Sequence, residues 1–208
     1  MTRPQLTADD LEAMRHRLTA LALDITIREG AEALTFRRLA ELAGISHTLP
    51  YRYFDNKEAL VVAIRVECTQ HFERFVRERE QRCTQPLEKI RALAEAYVEY
   101  VKTFPGEYQM IFAMHSPAPD AYTDLLAARR SLFDHAVDVV QDAIDSGHLR
   151  GDARAIAHLF WVSLHGLMTL HVAGQLVHGM DLDALAQPLV EQILSGAQAS
   201  DLKKKKIR

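Results

Sequence analysis

The sequence predicts an all-α protein in two parts, three short helices at the amino terminus followed by a larger helical domain. Apolar residues recur at helical spacing through most of the 208 residues, and no segment shows sustained period-two alternation. The periodic segments are also separated by legible breaks: Gly30, Gly44, Phe104-Pro105-Gly106, Ser116-Pro117-Ala118-Pro119, Ser146-Gly147 and Gly179. With 48% hydrophobic and 25% charged residues, and only 9 Gly and 7 Pro, the composition is that of an ordered chain with a core to bury. No internal repeat at a fixed period is visible.

The first helix starts at Thr7, where Thr7 and Asp10 have capping-box spacing, and runs through Leu11, Met14, Leu18, Leu21, Ala22 and Ile25 to Glu29. Thr35 opens a second, Phe36 to Ala43, whose Phe36, Leu39, Ala40, Leu42 and Ala43 form a broad apolar face; Gly44 ends it. Ser46 is the expected cap of a third short helix reaching Phe54, with Pro50 predicting a late start. Asp55 with Glu58 is the expected cap of a fourth, Lys57 to about Arg82, carrying Leu60, Val61, Ile64, Cys68, Phe72, Phe75 and Val76. Further helices are expected at about 87–103, 106–114, 120–146, 152–177 and 181–195.

Charge and cysteine usage bound the function. A formal net charge of -3 argues against a generally basic nucleic-acid coat, so any DNA contact must be local; residues 34–57 carry Arg37, Arg38, Arg52 and Lys57 against Glu41 and Asp55. Cys68 and Cys83, placed on one continuous helix, lie roughly 22 Å apart and cannot pair. There is no charged-then-apolar amino terminus and no uninterrupted apolar run of about 18 residues, so neither a secretory signal nor a membrane span is expected, and a cytoplasmic location follows.

The pattern Ala40, Gly44, Ile45 meets the needs of a helix-turn-helix: a small residue where helices approach, a glycine for the turn and an apolar residue to seat the second helix. The second helix then offers His47, Thr48, Tyr51 and Tyr53, groups suited to phosphates and base edges. Taken singly, the two tyrosines read as partly buried aromatics, and Arg37 and Lys57 as solvated charges.

Their surroundings change that reading. The stretch from Gly30 through Thr35-Phe36-Arg37-Arg38-Leu39-Ala40 to Ser46, followed by Pro50-Tyr51-Arg52-Tyr53-Phe54-Asp55-Asn56-Lys57-Glu58-Ala59-Leu60, resembles the TetR family over about the first 65 residues. The resemblance implies phosphate contacts from Tyr51 and Lys57, a capping role for Thr35, and approach to bases or adjoining phosphates by Arg37, His47, Thr48 and Tyr53. The family commonly has an apolar, helix-friendly residue where this chain has Pro50, though some members carry proline there.

Residues 86–196 are similar to one TetR subgroup through Phe104-Pro105-Gly106-Glu107-Tyr108 and Phe160-Trp161-Val162-Ser163-Leu164-His165-Gly166-Leu167, a Trp and His-Gly signature. This resemblance implies a dimerisation and effector-binding domain. The expected organisation is a DNA-binding domain at 1–58, an effector-binding and dimerisation domain at 59–197 and a basic tail at 198–208. Leu159, Trp161, Leu164, His165, Met168 and Val172, with Leu125, Leu132, Phe133, Val137 and Val140, are the expected inward or dimer-facing stripes. Tyr97, Tyr100, Phe104, Met110, Phe112, Met114, Phe133, Trp161 and His165 are the candidate effector lining, an apolar set with a few polar handles; plain core packing is the alternative for each.

The leading expectation is thus a homodimeric repressor on a palindromic double-stranded operator, released by a small, largely apolar effector, with no cofactor. A helical small-molecule, haem or metal carrier is the alternative. His158, His165, His171 and His178 lack metal-ligand spacing, however, and no G-x-S-x-G, H-E-x-x-H, P-loop or dinucleotide fingerprint supports an enzyme. A sequence-indifferent DNA organiser would need far more positive charge.

Overall fold

The computed structural model describes residues 7–112 and 122–198. Among them are eight α-helices: α1 (Ala8–Glu29), α2 (Phe36–Ala43), α3 (Lys57–Glu80), α4 (Pro86–Thr103), α5 (Pro105–Phe112), α6 (Thr123–Asp145), α7 (Ala153–Val172) and α8 (Leu182–Ala197). Single 3-10 turns occur at Ala31–Ala33 and Pro50–Arg52. An isolated bridge between Leu149 and Gln198 is the one extended pairing among the described residues. The chain divides into two compact units, the first comprising Met1–His71 with Gly106–Arg129 and the second Phe72–Pro105 with Arg130–Arg208. Both α3 and α6 contribute to each unit.

In the first unit the capping box forms as the sequence predicts: Thr7 Oγ1 accepts from the Asp10 amide, and the Asp10 carboxylate accepts from the Thr7 amide at 2.9 Å. Leu18, Ala22 and Ile25 of α1 are buried with Leu34, Leu39, Ala40, Phe54, Leu60 and Ile64, which fixes α1 against α2. At the start of α5, a Cβ added to Gly106 would meet the Ile27 side chain at 2.8 Å, so any larger residue there would oblige Ile27 of α1 to shift.

The second unit buries Ile90, Ala94, Tyr97 and Tyr100 of α4 with Phe160, Leu164 and Met168 of α7 and Val190 and Leu194 of α8. Asp152 and Asp181 cap α7 and α8 by accepting from the Ala155 and Ala184 amides. Arg91 clamps Glu191 through two hydrogen bonds at 2.6 and 3.0 Å, and Lys102 pairs with Asp183, tying α4 to α8.

Several expectations are corrected. The α3 cap is Asn56, whose side-chain oxygen accepts from the Ala59 amide at 2.8 Å, rather than Asp55. Since α3 ends at Glu80, Cys83 lies beyond it; neither cysteine is in a disulfide. α7 stops at Val172 rather than near residue 177, because Gly174 (φ 66°) takes the left-handed conformation that returns the Gln175 and Gly174 amides to Leu170 and His171. Of the stripes expected to be inward or dimer-facing, Leu125, Val140, Leu164 and Met168 are inward, buried in the core. α7 is also long and apolar enough to cross a membrane by length and composition, with mean hydropathy 1.3 and 33% of that stretch buried. Ser163, His165, Gly166 and Thr169 interrupt its apolar residues.

Candidate nucleic-acid interface

The exposed edge of the first unit is built around the turn after α2. Gly44 (φ 66°) adopts the left-handed conformation, and the Gly44 and Ile45 amides return to the carbonyls of Glu41 and Ala40 at 3.3 and 3.1 Å. Thr35 caps the other end of α2, its Oγ1 accepting from the Arg38 amide at 3.1 Å.

The expected helix from Ser46 to Phe54 does not form as one α-helix. Instead the Leu49 amide bonds to Ser46, then the Arg52 and Tyr53 amides bond to Leu49 and Pro50, all at 3.0 Å and three residues apart. Pro50 has no amide hydrogen to return to the Ser46 carbonyl, so an i→i−4 ladder is interrupted at its first rung. Ser46 does not cap an α-helix here; its Oγ lies 3.4 Å from Thr48 Oγ1.

A segment with so few bonds of its own is held from outside. Arg17 of α1 donates to the Ala43 carbonyl at 2.9 Å, and Arg15 donates to the Tyr53 carbonyl at 3.2 Å while its guanidinium lies 5.0 Å from the Phe54 ring centroid. Arg15 thus holds the far end of the segment and Arg17 the end of α2 that precedes it, and nothing in the helical periodicity of α1 distinguishes them from solvated charges. Between them, Pro50 and Phe54 are buried, whereas Ser46, His47, Thr48, Tyr51 and Arg52 are exposed.

The predicted contact residues fall as follows. Tyr51 is 62% exposed, with its ring edge-on to Phe36. His47 and Thr48 are exposed on the same segment, and Tyr53 is half-buried. Lys57 Nζ donates to the Ala31 carbonyl at 2.8 Å, tying the start of α3 to the 3-10 turn after α1. Arg37 pairs with Glu41 at 3.0 Å, so its positive charge is partly offset. Arg38 is engaged by Glu29, which raises its pKa. Arg52, not singled out in the sequence beyond its charge, is exposed and makes no ion pair among the described residues.

The candidate effector residues divide between the two units. In the second, Tyr97, Tyr100 and Phe104 join Phe72 and Phe75 in an aromatic cluster, with Tyr97 and Tyr100 buried. Trp161 stacks on His165 at 6.1 Å and meets Phe133 edge-on at the same centroid distance. Tyr97 Oη lies 3.4 Å from His165 Nδ1, joining the two groups through a polar contact, and burial lowers the His165 pKa. In the first unit, half-buried Met110 and Phe112 occupy the last turn of α5. Met114 lies outside the described residues.

On α7, Leu159, Trp161, Val162 and Leu170 are exposed at 56%, 42%, 59% and 46%. Leu159, Val162 and Leu170 share one face of the helix, a patch of the kind that marks an interaction surface, whereas Trp161 lies on another side with Phe133 and His165.

Comparison with known proteins gives a consistent pattern. Residues 18–64 match the family described as bacterial regulatory proteins, tetR family, and residues 90–193 match the Tetracyclin repressor-like, C-terminal domain. The HTH-type transcriptional activator FasR of Mycolicibacterium smegmatis is 24% identical over 144 residues. That alignment covers 69% of this chain and 65% of the relative, so the chain spans just under two thirds of the relative's length. A solved protein of unknown function from Rhodococcus sp. RHA1 has a TM-score of 0.79 at 25% identity, with 89% and 96% of the two chains covered. The regulator FadR of Bacillus subtilis, solved with stearoyl-CoA, has a TM-score of 0.72 at 16% identity, with 89% of this chain and 100% of that one covered. At that identity the likeness is one of fold.

Proposed function

The chain belongs to the TetR family of bacterial regulatory proteins, and from that premise we propose that it acts as a homodimeric repressor released from a palindromic operator by a largely apolar effector. The observation that carries the proposal is the segment 46–53. It is pinned by Arg15 and Arg17 yet leaves His47, Thr48, Tyr51 and Arg52 exposed. Tyr51, Lys57 and Thr35 bind the phosphate backbone and set the register. His47 and Thr48 approach base edges, while Arg37 and Tyr53 serve the adjoining phosphates.

Pairing through α7 supports the two-fold arrangement. Covering Leu159, Val162 and Leu170 removes apolar surface from water, and a palindromic site asks for two reading segments roughly 34 Å apart, one DNA turn, as a two-fold dimer supplies. The proposed domain division is residues 1–58 for DNA and 59–197 for effector binding and dimerisation. The effector lies against part of the aromatic set, with Tyr97 and His165 as polar handles. The stearoyl-CoA bound to the Bacillus FadR is consistent with an apolar acyl ligand class. Since α3 runs without a break from Lys57 to Phe75, effector binding can favour one position of the reading segments over another. The protein acts in the cytoplasm, where its DNA lies.

The test is titration of the purified protein onto DNA from upstream of its own gene, with random DNA as competitor at moderate salt. Retention of one palindromic fragment is expected. Equal affinity for all fragments would overturn the proposal. In a defined transcription reaction the protein should lower output, and an increase would reverse the sign of the regulation.

A further inference from the structure

The exposed edge of the first unit spends its positive charge unevenly. Arg37 pairs with Glu41, and Arg38 donates twice to Glu29. Lys57 Nζ is tied to the Ala31 carbonyl, while Arg15 and Arg17 are turned to the carbonyls of Tyr53 and Ala43. Arg52 differs from all of these. It is exposed, and among the described residues its guanidinium makes no hydrogen bond or ion pair. Asp55, the carboxylate nearest in sequence, does not pair with it.

The backbone that carries Arg52 is fixed on both sides. Its amide donates to the Leu49 carbonyl at 3.0 Å, the following amide of Tyr53 donates to Pro50 at 3.0 Å, and the Tyr53 carbonyl accepts from Arg15 at 3.2 Å. On the other side Tyr51 is held edge-on to Phe36 at 4.5 Å. An open donor fork on an anchored stem gives up only its own side-chain freedom when it binds, which keeps the ordering cost of a contact low.

We propose that Arg52 clamps a DNA phosphate and supplies the main electrostatic anchor of the reading segment. A guanidinium stays charged at any working pH, and its planar fork matches two phosphate oxygens at once. Position selects the phosphate over a base edge. The first residues of a helix-turn-helix reading segment approach the bases, whereas Arg52 follows Tyr51 at the far end of this one. Charge adds to the argument: with a formal net charge of -3 the chain has no general basic coat, so an uncompensated local cation carries a larger share of the attraction. Arg37, by contrast, has to give up or share Glu41 before it meets a second anion. This deepens the regulatory reading above and rests on it for which edge faces DNA.

The probe is a mixed-sequence duplex of roughly 30 base pairs, long enough for two half-sites a turn apart, because a phosphate contact does not depend on sequence. Affinity of the full chain is followed by fluorescence anisotropy between roughly 0.05 and 0.2 M salt. Each phosphate contact contributes about 0.9 to the slope of log affinity against log salt, so Arg52→Gln, which removes one from each protomer of a dimer, should flatten the slope by about 1.8. Arg52→Lys keeps the charge and should keep the slope, with weaker binding for want of the fork. Arg130→Gln removes the same charge from an exposed position in the second unit and should leave the slope unchanged. Thermal unfolding of each variant checks that it is folded. Should Arg52→Gln fail that check, the side-chain Nε–H resonance of Arg52 in the wild type must shift on addition of the duplex and return at high salt. Equal slopes for wild type and Arg52→Gln, an equal flattening by Arg130→Gln, an unmoved resonance, or a loss confined to duplexes with one particular base pair would overturn the clamp. The two readings fail separately. A wild type whose slope depends on Arg52 but which prefers no fragment defeats only the operator reading, whereas one that selects its own upstream fragment with a slope indifferent to Arg52→Gln defeats only the clamp.

Discussion

The Tyr51 ring meets the Phe36 ring edge-on, with centroids 4.5 Å apart and planes at 73°, while Tyr51 remains 62% exposed. A contact of this kind holds the phenol in one direction without hiding it. Phe36 is anchored in turn as the first residue of α2, directly after the Thr35 cap. The side chain that reaches outward is therefore positioned by the helix that packs inward.

The two functions of Tyr51 separate by substitution. Tyr51→Phe keeps the ring pair and removes the hydroxyl, which should lower operator affinity by roughly fivefold, the worth of one ordinary hydrogen bond. Tyr51→Ala also removes the ring pair, worth about 0.5–1.5 kcal/mol, and should lower affinity further along with stability. Fluorescence anisotropy at fixed salt measures both. Identical affinities for wild type and Tyr51→Phe would exclude the hydroxyl from the DNA contact.

Pro50 makes a second prediction. In Pro50→Ala the new amide can reach the Ser46 carbonyl, and Leu49 already has helical dihedrals (φ -67°, ψ -41°), so the segment should wind into an α-helix. Amide exchange at Arg52 to Phe54 should slow by about tenfold, corresponding to one hydrogen bond of added local stability. The preferred operator should also change, because the new winding rotates His47 and Thr48 to different directions. Unchanged protection would mean that something other than the missing amide keeps this segment in 3-10 turns.

What the sequence revealed and what it concealed differ for a physical reason. Phe36–Ala43, the Thr7 capping box and the Gly44 turn were legible because they depend on residues within a few positions of one another. The form of the reading segment was only half legible: Pro50 announced a disruption, but its outcome depended on Arg15 and Arg17, more than 25 residues away, holding carbonyls that have no helical partner. The bonds from Arg65 to the Met110 carbonyl and from Arg129 to the Ile111 carbonyl were equally invisible, since they exist only once α3 and α6 meet the end of α5. Periodicity likewise could not tell the buried Leu164 from the exposed Val162 of α7, because both sides of that helix are apolar.

That last ambiguity becomes testable at Val162, which is 59% exposed. Val162→Asp changes little in the isolated chain, yet in a dimer paired through α7 it places a carboxylate in an apolar seam. An unpaired buried charge costs several kcal/mol, enough to raise the dimer dissociation constant at least about 100-fold. Sedimentation should show monomer at micromolar concentration, with operator affinity lost in parallel. A variant that stays dimeric would move the interface away from this face of α7.

Acid should act on two half-buried histidines of the second unit, His135 and His165. Burial lowers the pKa of His165; for His135 burial leads and the Arg77 charge adds to it, against the opposing carboxylates of Glu80, Glu73 and Asp138. Arg77 donates to His135 Nδ1 at 2.9 Å, so that nitrogen accepts and the ring is neutral. Because both folded pKa values lie below the ordinary value near 6.5, the unfolded chain binds more protons just below that pH. The contribution of these groups to stability is complete above pH 6.5 and is lost as pH falls through their folded values. The denaturant midpoint should therefore decline from pH 7 toward pH 5, and His165→Gln should flatten part of that decline while preserving a polar partner for Tyr97. Parallel pH profiles for wild type and His165→Gln would show that His165 is solvated and titrates alike in both states, which would also remove it as a desolvated handle for the effector.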